Sequence, residues 1–170
     1  IVMAALGLGL GDEVIVPDFT FVATASAVLS VGALPVMVDI DPDTFNIDPD
    51  LVEKAITPRT KVLAFTHLSS TVGDLFPAKE LCRIGHERGV LTMMDGAQSF
   101  GLLDVNLGDI QPDFYGGSAH KWPCGARECG VLFVNKRSQD RLWPSIYSAY
   151  PGAVGFSKTF ESFGQRDEAT

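Results

Sequence analysis

Short, largely apolar runs alternate along the chain with longer segments in which apolar positions recur at helical spacing. Residues 14–16, 35–40, 61–66 and 90–94 are runs of strand length, the pattern of strands covered on both faces. Residues 20–31 carry small and apolar side chains at helical spacing and stop at Gly32. Asp48-Pro49 opens a helix to about Ala55 in the N-cap-then-proline order. Residues 77–88 form an amphipathic helix with Leu81, Cys82 and Ile84 inward, closed by Gly89. Strands follow at residues 112–115 and 130–134, and a helix is expected over 137–147. This alternation predicts one α/β domain, a three-layer, mostly parallel mixed sheet with helices on both faces.

The segment Gly7-Leu8-Gly9-Leu10-Gly11 has glycines at the spacing of a dinucleotide site. A dinucleotide fingerprint follows a strand and opens a helix; here the glycines close a helix and lead into a strand, so they are punctuation. The opening residues lack a basic n-region and read as the end of a helix, not a signal peptide. The 170 residues suit one domain, with 46% apolar and 20% charged residues. Thirteen basic against 21 acidic residues give a net charge of −8 with no basic run, which argues against nucleic acid as a partner. No apolar stretch approaches a membrane span of about 20 residues. Cys82, Cys124 and Cys129 show no CxxC pairing and read as reduced thiols of a cytoplasmic protein.

Chemistry concentrates at two strand ends. Met94-Asp95-Gly96-Ala97-Gln98 closes one apolar strand, and Gly116-Gly117-Ser118-Ala119-His120-Lys121-Trp122 follows another. A lone loop lysine is ordinarily solvated. An acid and a lysine offered from two strand ends are, however, what a pyridoxal phosphate enzyme needs: the amine forms a Schiff base and the acid keeps the pyridine nitrogen protonated. Several side chains also have plainer readings. Asp95 would serve as an N-cap, Gln98 as an ordinary polar helix residue, His120 as a loop-packing residue and His67 as a structural one.

Residues 11–170 resemble the large domain of fold-type I pyridoxal phosphate enzymes. Asp95-Gly-Ala-Gln98 and Ser118-Ala-His120-Lys121-Trp122 are similar to the class V aminotransferase branch, which includes cysteine desulfurases and isopenicillin N epimerase-like proteins. Gly11-Asp-Glu-Val-Ile-Val-Pro-Asp-Phe-Thr-Phe-Val-Ala-Thr24 also resembles DegT-type sugar aminotransferases.

The resemblance implies pyridoxal 5′-phosphate as cofactor, Lys121 and Asp95 as catalytic residues, and one antiparallel strand, placed at residues 130–134. It implies that Gln98 and the Ser70-Thr71 pair reach the ring's phenolate oxygen, and that Ser118 and His120 donate to the phosphate. It puts Phe21 over the ring, where a core phenylalanine is the plainer alternative. Gln165 stands where family members carry a threonine that reaches the neighbouring subunit's phosphate, implying a homodimer. The phosphate loop and small domain are expected outside residues 1–170, together with the carboxylate-binding arginine. The activity implied is transamination of a small-molecule amino acid or amino sugar. Epimerisation and desulfuration or lysis are alternatives in the same family, and an inactive α/β interaction domain is the alternative of another class.

Overall fold

The computed structural model describes residues 1–127 and 129–143. The elements run α1 (Val2–Ala5), β1 (Glu13–Pro17), α2 (Ala23–Leu29), β2 (Leu34–Val38), α3 (Pro49–Ala55), β3 (Thr60–Thr66), α4 (Ala78–Glu87), β4 (Leu91–Asp95), α5 (Leu107–Ile110), β5 (Phe114–Ser118) and β6 (Gly130–Val134). A 3-10 segment, Lys136–Arg141, follows. The six strands make one sheet in the order β2-β1-β3-β4-β5-β6. Every neighbouring pair is parallel except β5 and β6, so the antiparallel strand lies where the resemblance implied it.

Successive strand residues point to opposite faces, and both faces are covered. Ile15, Leu63, Phe65, Met94 and Tyr115 pack with Val52 of α3 and Leu81, Cys82 and Ile84 of α4. Val14, Val16, Val62 and Ala64 pack on the other face with Met3 of α1 and Val28 of α2. That two-sided burial explains why these strands read as unbroken apolar runs. Local chemistry sets the ends of α3. The Asp48 carboxylate accepts the Asp50 and Leu51 amides at 2.8 and 3.4 Å, and Pro49 occupies the first turn.

Three elements differ most from the sequence expectation. The helix expected over residues 20–31 is confined to Ala23–Leu29, because its first residues turn outward as the loop after β1. The strand expected at 112–115 runs instead from Phe114 to Ser118, so Gly116 and Gly117 lie in the ladder opposite Leu132 and Val131. Gly117 has no room for a side chain: a Cβ there would come within 2.6 Å of the Phe100 ring. The helix expected over 137–147 is a 3-10 segment in its first part; residues 144–147 lie outside the described residues. Unforeseen was the short α5, capped by the Asn106 side chain on the Asp109 amide.

Buried Cys82 illustrates the cost of charging a core group. Burial pushes its thiol up to about 11. Only Cys124 and Cys129, exposed and half-buried, should label with a thiol reagent near pH 8, and Cys82 should label only on denaturation. Counting labelled thiols by mass before and after adding guanidinium checks this; rapid native labelling of Cys82 would contradict the packing.

Candidate active site

The strand order creates a site before any side chain is considered. From β1 the chain crosses to one side to form β2, then returns past β1 to form β3. A parallel sheet parts its loops at such a reversal, leaving a crevice outside the carboxyl ends of the strands. A cleft of about 350 Å³ lies there. Its walls are Phe19, Thr20, Phe21 and Val22 after β1, and Thr66, Ser69, Ser70, Thr71 and Phe76 at and beyond the end of β3. Asp95, Ala97 and Gln98 after β4, with Lys121, close it.

Asp95 is the last residue of β4, in register with Thr66 and Gly116 of its neighbours. Main-chain bonds hold it on two sides: His67 N–H donates to the Asp95 carbonyl at 2.9 Å, and Gly96 N–H donates to the Gly116 carbonyl at 2.7 Å. One carboxylate oxygen accepts the Ala97 amide at 2.8 Å, so the capping role and exposure to the cleft coexist in one side chain. The other oxygen has no protein partner among the described residues, which leaves it free to meet a cation.

Lys121 lies on the loop after β5. Its amide donates to the Ser118 carbonyl at 3.3 Å, and its carbonyl accepts from Cys124 at 3.0 Å. Among the described residues its ammonium makes no ion pair or hydrogen bond, so this amine is not committed elsewhere. Trp122 ties the loop to the turn after Asp95 by donating its indole N–H to Gln98 Oε1 at 3.2 Å. Phe21 is 68% exposed, which removes the core-phenylalanine alternative and leaves its ring as a wall of the cleft.

Phe21, Ser70, Thr71, Asp95, Gln98 and Lys121 therefore meet around one cleft. Ser118 does not join them; it lines a second, mostly apolar cleft with Gly116 and Gly117, which Asp95 also borders. His120 lines neither cleft. It is exposed, and its Nδ1 lies 3.0 Å from the Cys129 carbonyl, an arrangement that pins the loop to the start of β6. Gln165 lies outside the described residues. His67 is buried, its Nδ1 2.9 Å from Ser99 Oγ, and burial holds its pKa below the usual histidine value.

Sequence reading missed Phe19, Thr20, Thr66, Ser69 and Phe76. The available signal was position: Thr66 ends a strand in register with Asp95, and its hydroxyl lies 3.2 Å from that of Thr20.

The donor set suits a flat aromatic aldehyde bearing a ring nitrogen. It offers an uncommitted primary amine, a carboxylate with one free oxygen, an amide, five hydroxyls and an exposed aromatic face. Among the described residues there is no cluster of metal-binding side chains, and no helix is long and apolar enough to cross a membrane.

Comparison with known proteins points the same way. The family model described as the DegT/DnrJ/EryC1/StrS aminotransferase family matches residues 1–109. The chain is 48% identical over 99 residues to the L-glutamine:2-deoxy-scyllo-inosose aminotransferase of Streptomyces kanamyceticus, covering 58% of this chain and 22% of that protein. It is 52% identical over 101 residues to the UDP-2-acetamido-2-deoxy-3-oxo-D-glucuronate aminotransferase of Pseudomonas aeruginosa, covering 59% and 27%. The chain thus spans about a quarter of the length of these curated relatives. Among solved structures, the cysteine desulfurase CsdA of Escherichia coli superposes with a TM-score of 0.77 at 25% identity, covering 93% of this chain and 40% of that one. NtdA of Bacillus subtilis, solved with bound pyridoxamine phosphate, gives 0.59 at 39% identity, covering 68% and 25%. The branch is corrected accordingly: the matched family is the one that residues 11–24 resemble, not class V, and the lysine segment lies beyond the matched residues. With more than half its length matched, the chain belongs to the DegT/DnrJ/EryC1/StrS aminotransferase family, whose cofactor is pyridoxal 5′-phosphate.

Proposed function

We propose that this chain forms the cofactor-holding part of an aminotransferase that installs an amino group on a keto sugar or keto cyclitol. The meeting of Asp95 and Lys121 at one cleft, with Phe21 and Gln98 beside them, carries this reading. The relatives' names support the substrate class. When bound, pyridoxal phosphate supplies an electron sink for the substrate's α-carbon. Lys121 Nζ is the amine that would hold it and, once released, would carry the α-proton away and back. The free oxygen of Asp95 would pair with the ring nitrogen, Phe21 would cover a ring face, and Gln98 with Ser70 and Thr71 would supply polar partners at its edge. Ser118 would reach the phosphate only from the second cleft, which Asp95 also lines. The hydroxyls along the Ser69-Ser70-Thr71 loop suit a polyhydroxylated substrate. A class V-like lysine segment, a homodimer and a cytoplasmic location belong to the same proposal.

The test is amino transfer by the intact protein, supplied with pyridoxal phosphate, from L-glutamine or L-glutamate to keto-sugar and keto-cyclitol acceptors. Amino sugar and keto acid are expected together. An inverted amino compound without keto acid would point to epimerisation, sulfide release from cysteine to desulfuration, and no cofactor absorbance band at all to an inert α/β domain. Sedimentation of the active protein as a monomer would contradict the homodimer.

Asp95→Asn separates charge from shape at the same site. It keeps the cap on the Ala97 amide but removes the anion. A charge-assisted hydrogen bond is worth about 1.5–3 kcal/mol, so turnover should fall about ten- to a hundredfold. Steady-state kinetics decide, and unchanged turnover would remove Asp95 from the site.

A further inference from the structure

Under the turn that carries Asp95 runs a buried polar chain joining three elements. His67, just past β3, is 7% exposed, Ser99 0% and Tyr115 of β5 3%. His67 Nδ1 lies 2.9 Å from Ser99 Oγ, and Ser99 Oγ lies 3.1 Å from the Tyr115 hydroxyl. The main chain binds the same pieces together: His67 N–H donates to the Asp95 carbonyl, and the Ser99 amide donates to the Gly96 carbonyl. The Tyr115 ring fills the space over Gly96 so tightly that a Cβ there would lie 2.1 Å from it.

A fold needs none of these polar groups at this depth. Apolar residues of similar shape pack as well at lower desolvation cost, whereas a fully satisfied buried network holds its members in one arrangement. This one is satisfied throughout, since no atom of the three side chains is buried without a partner. Its members surround the residue whose carboxylate must face the cleft at a set angle.

We propose that Ser99 is a positioning residue, which with His67 and Tyr115 locks the Asp95–Gln98 turn and so fixes where the Asp95 carboxylate stands. The proposal rests on the aminotransferase reading given above. His67 and Tyr115 are both uncharged in this setting, burial lowering the histidine and raising the tyrosine. The chain therefore fixes geometry without adding charge beside Asp95.

Ser99→Ala breaks both links, and Tyr115→Phe removes only the far hydroxyl while keeping the ring on Gly96. In the intact protein with pyridoxal phosphate, each should lower kcat about tenfold, the worth of one well-placed hydrogen bond. KM for the amino donor should stay within about twofold, because binding of the ground state is not touched. The visible circular dichroism of the bound cofactor should change, since it reports the ring's orientation, and at a temperature where each variant is fully folded the loss of kcat should persist even though the groups left unpaired lower the melting temperature. A silent dichroism and an unchanged kcat in Ser99→Ala would overturn the proposal. So would a kcat lost only in proportion to the folded fraction, because that is a stability effect. If Ser99→Ala does not fold, Tyr115→Phe decides by the same readouts. Absence of any cofactor band in the unsubstituted protein overturns the aminotransferase reading and this proposal together; a normal band with silent variants overturns this proposal alone.

Discussion

Replacing Lys121 by alanine is expected to stop turnover and to abolish the visible band that pyridoxal phosphate develops with the unsubstituted protein. The structure makes this a clean experiment. The Lys121 side chain is exposed and makes no hydrogen bond or ion pair among the described residues, so removing it leaves no orphaned partner. The melting temperature should therefore stay put while the chemistry is lost. One amine is asked to do two things, to hold the cofactor and to move the substrate's proton. Positioned acid–base groups alone contribute about 10²–10⁴-fold, so a residual rate above a hundredth of the parent's would be too high for this assignment. Partial recovery on adding a small primary amine would show that the missing group, and not a disturbed loop, explains the loss. Retention of the band in Lys121→Ala would move the site to another lysine.

Asp113→Ala should be the most destabilising single change outside the site. Asp113 is 2% exposed at the entrance to β5 and serves as the hub of a buried junction. One of its oxygens accepts Thr92 N–H at 2.8 Å and Thr92 Oγ–H at 3.0 Å; the other accepts Ser138 Oγ–H at 2.6 Å and Arg137 Nε–H at 2.9 Å. Arg137 continues to the Gln111 carbonyl at 2.6 Å and to His86 Nε2 at 2.6 Å, so the junction ties β4, β5, α4 and the 3-10 segment together. Alanine leaves these donors facing nothing, and breaking a buried charged pair costs about 3–5 kcal/mol, a large part of a typical 5–15 kcal/mol stability. Arg137→Ala should cost less, because its guanidinium is already partly in water. Urea midpoints at constant slope would rank the two; a near-neutral Asp113→Ala would refute the hub.

The same junction sets the acid response. Burial alone would raise the Asp113 pKa, but hydrogen bonds from Ser138, Thr92 and Arg137 outweigh it and hold the carboxyl below the ordinary aspartate value. For a depressed acid the unfolded chain takes up its proton first, so this stability is present above about pH 3.9 and lost as pH falls through the folded value. His86 and His67 are also depressed, burial being the main cause for each. Their contributions therefore begin to fade below about pH 6.5. At the alkaline end the sign reverses. Cys82 is raised from 9.0 to about 11, so the unfolded chain ionises first and stability declines through that interval. Melting curves across pH should show a plateau near neutrality with losses on both sides.

Most of the element plan was legible because its causes are local. Asp48 caps α3 from the residue before it, Leu81, Cys82 and Ile84 recur at helical spacing, and the apolar runs of β1, β3 and β4 announce strands buried on both sides. Asp95 and Lys121 were legible for a related reason: an acid at the end of an apolar strand, and a lysine just past one, are anomalies of the chain itself. Residue order alone did not determine which strands lie side by side. The placement of β1 between β2 and β3, and hence the crevice, is a property of the assembled sheet. Ser118 and Lys121 are three positions apart in the chain, yet they line different clefts, because Ser118 still belongs to β5 whereas Lys121 lies on the loop beyond it. The Asp113 junction and the His67–Ser99–Tyr115 chain each join residues from three or more elements. No local pattern marks them, since a buried polar group is stable only when distant partners arrive to satisfy it, and that pairing exists only once the sheet has formed.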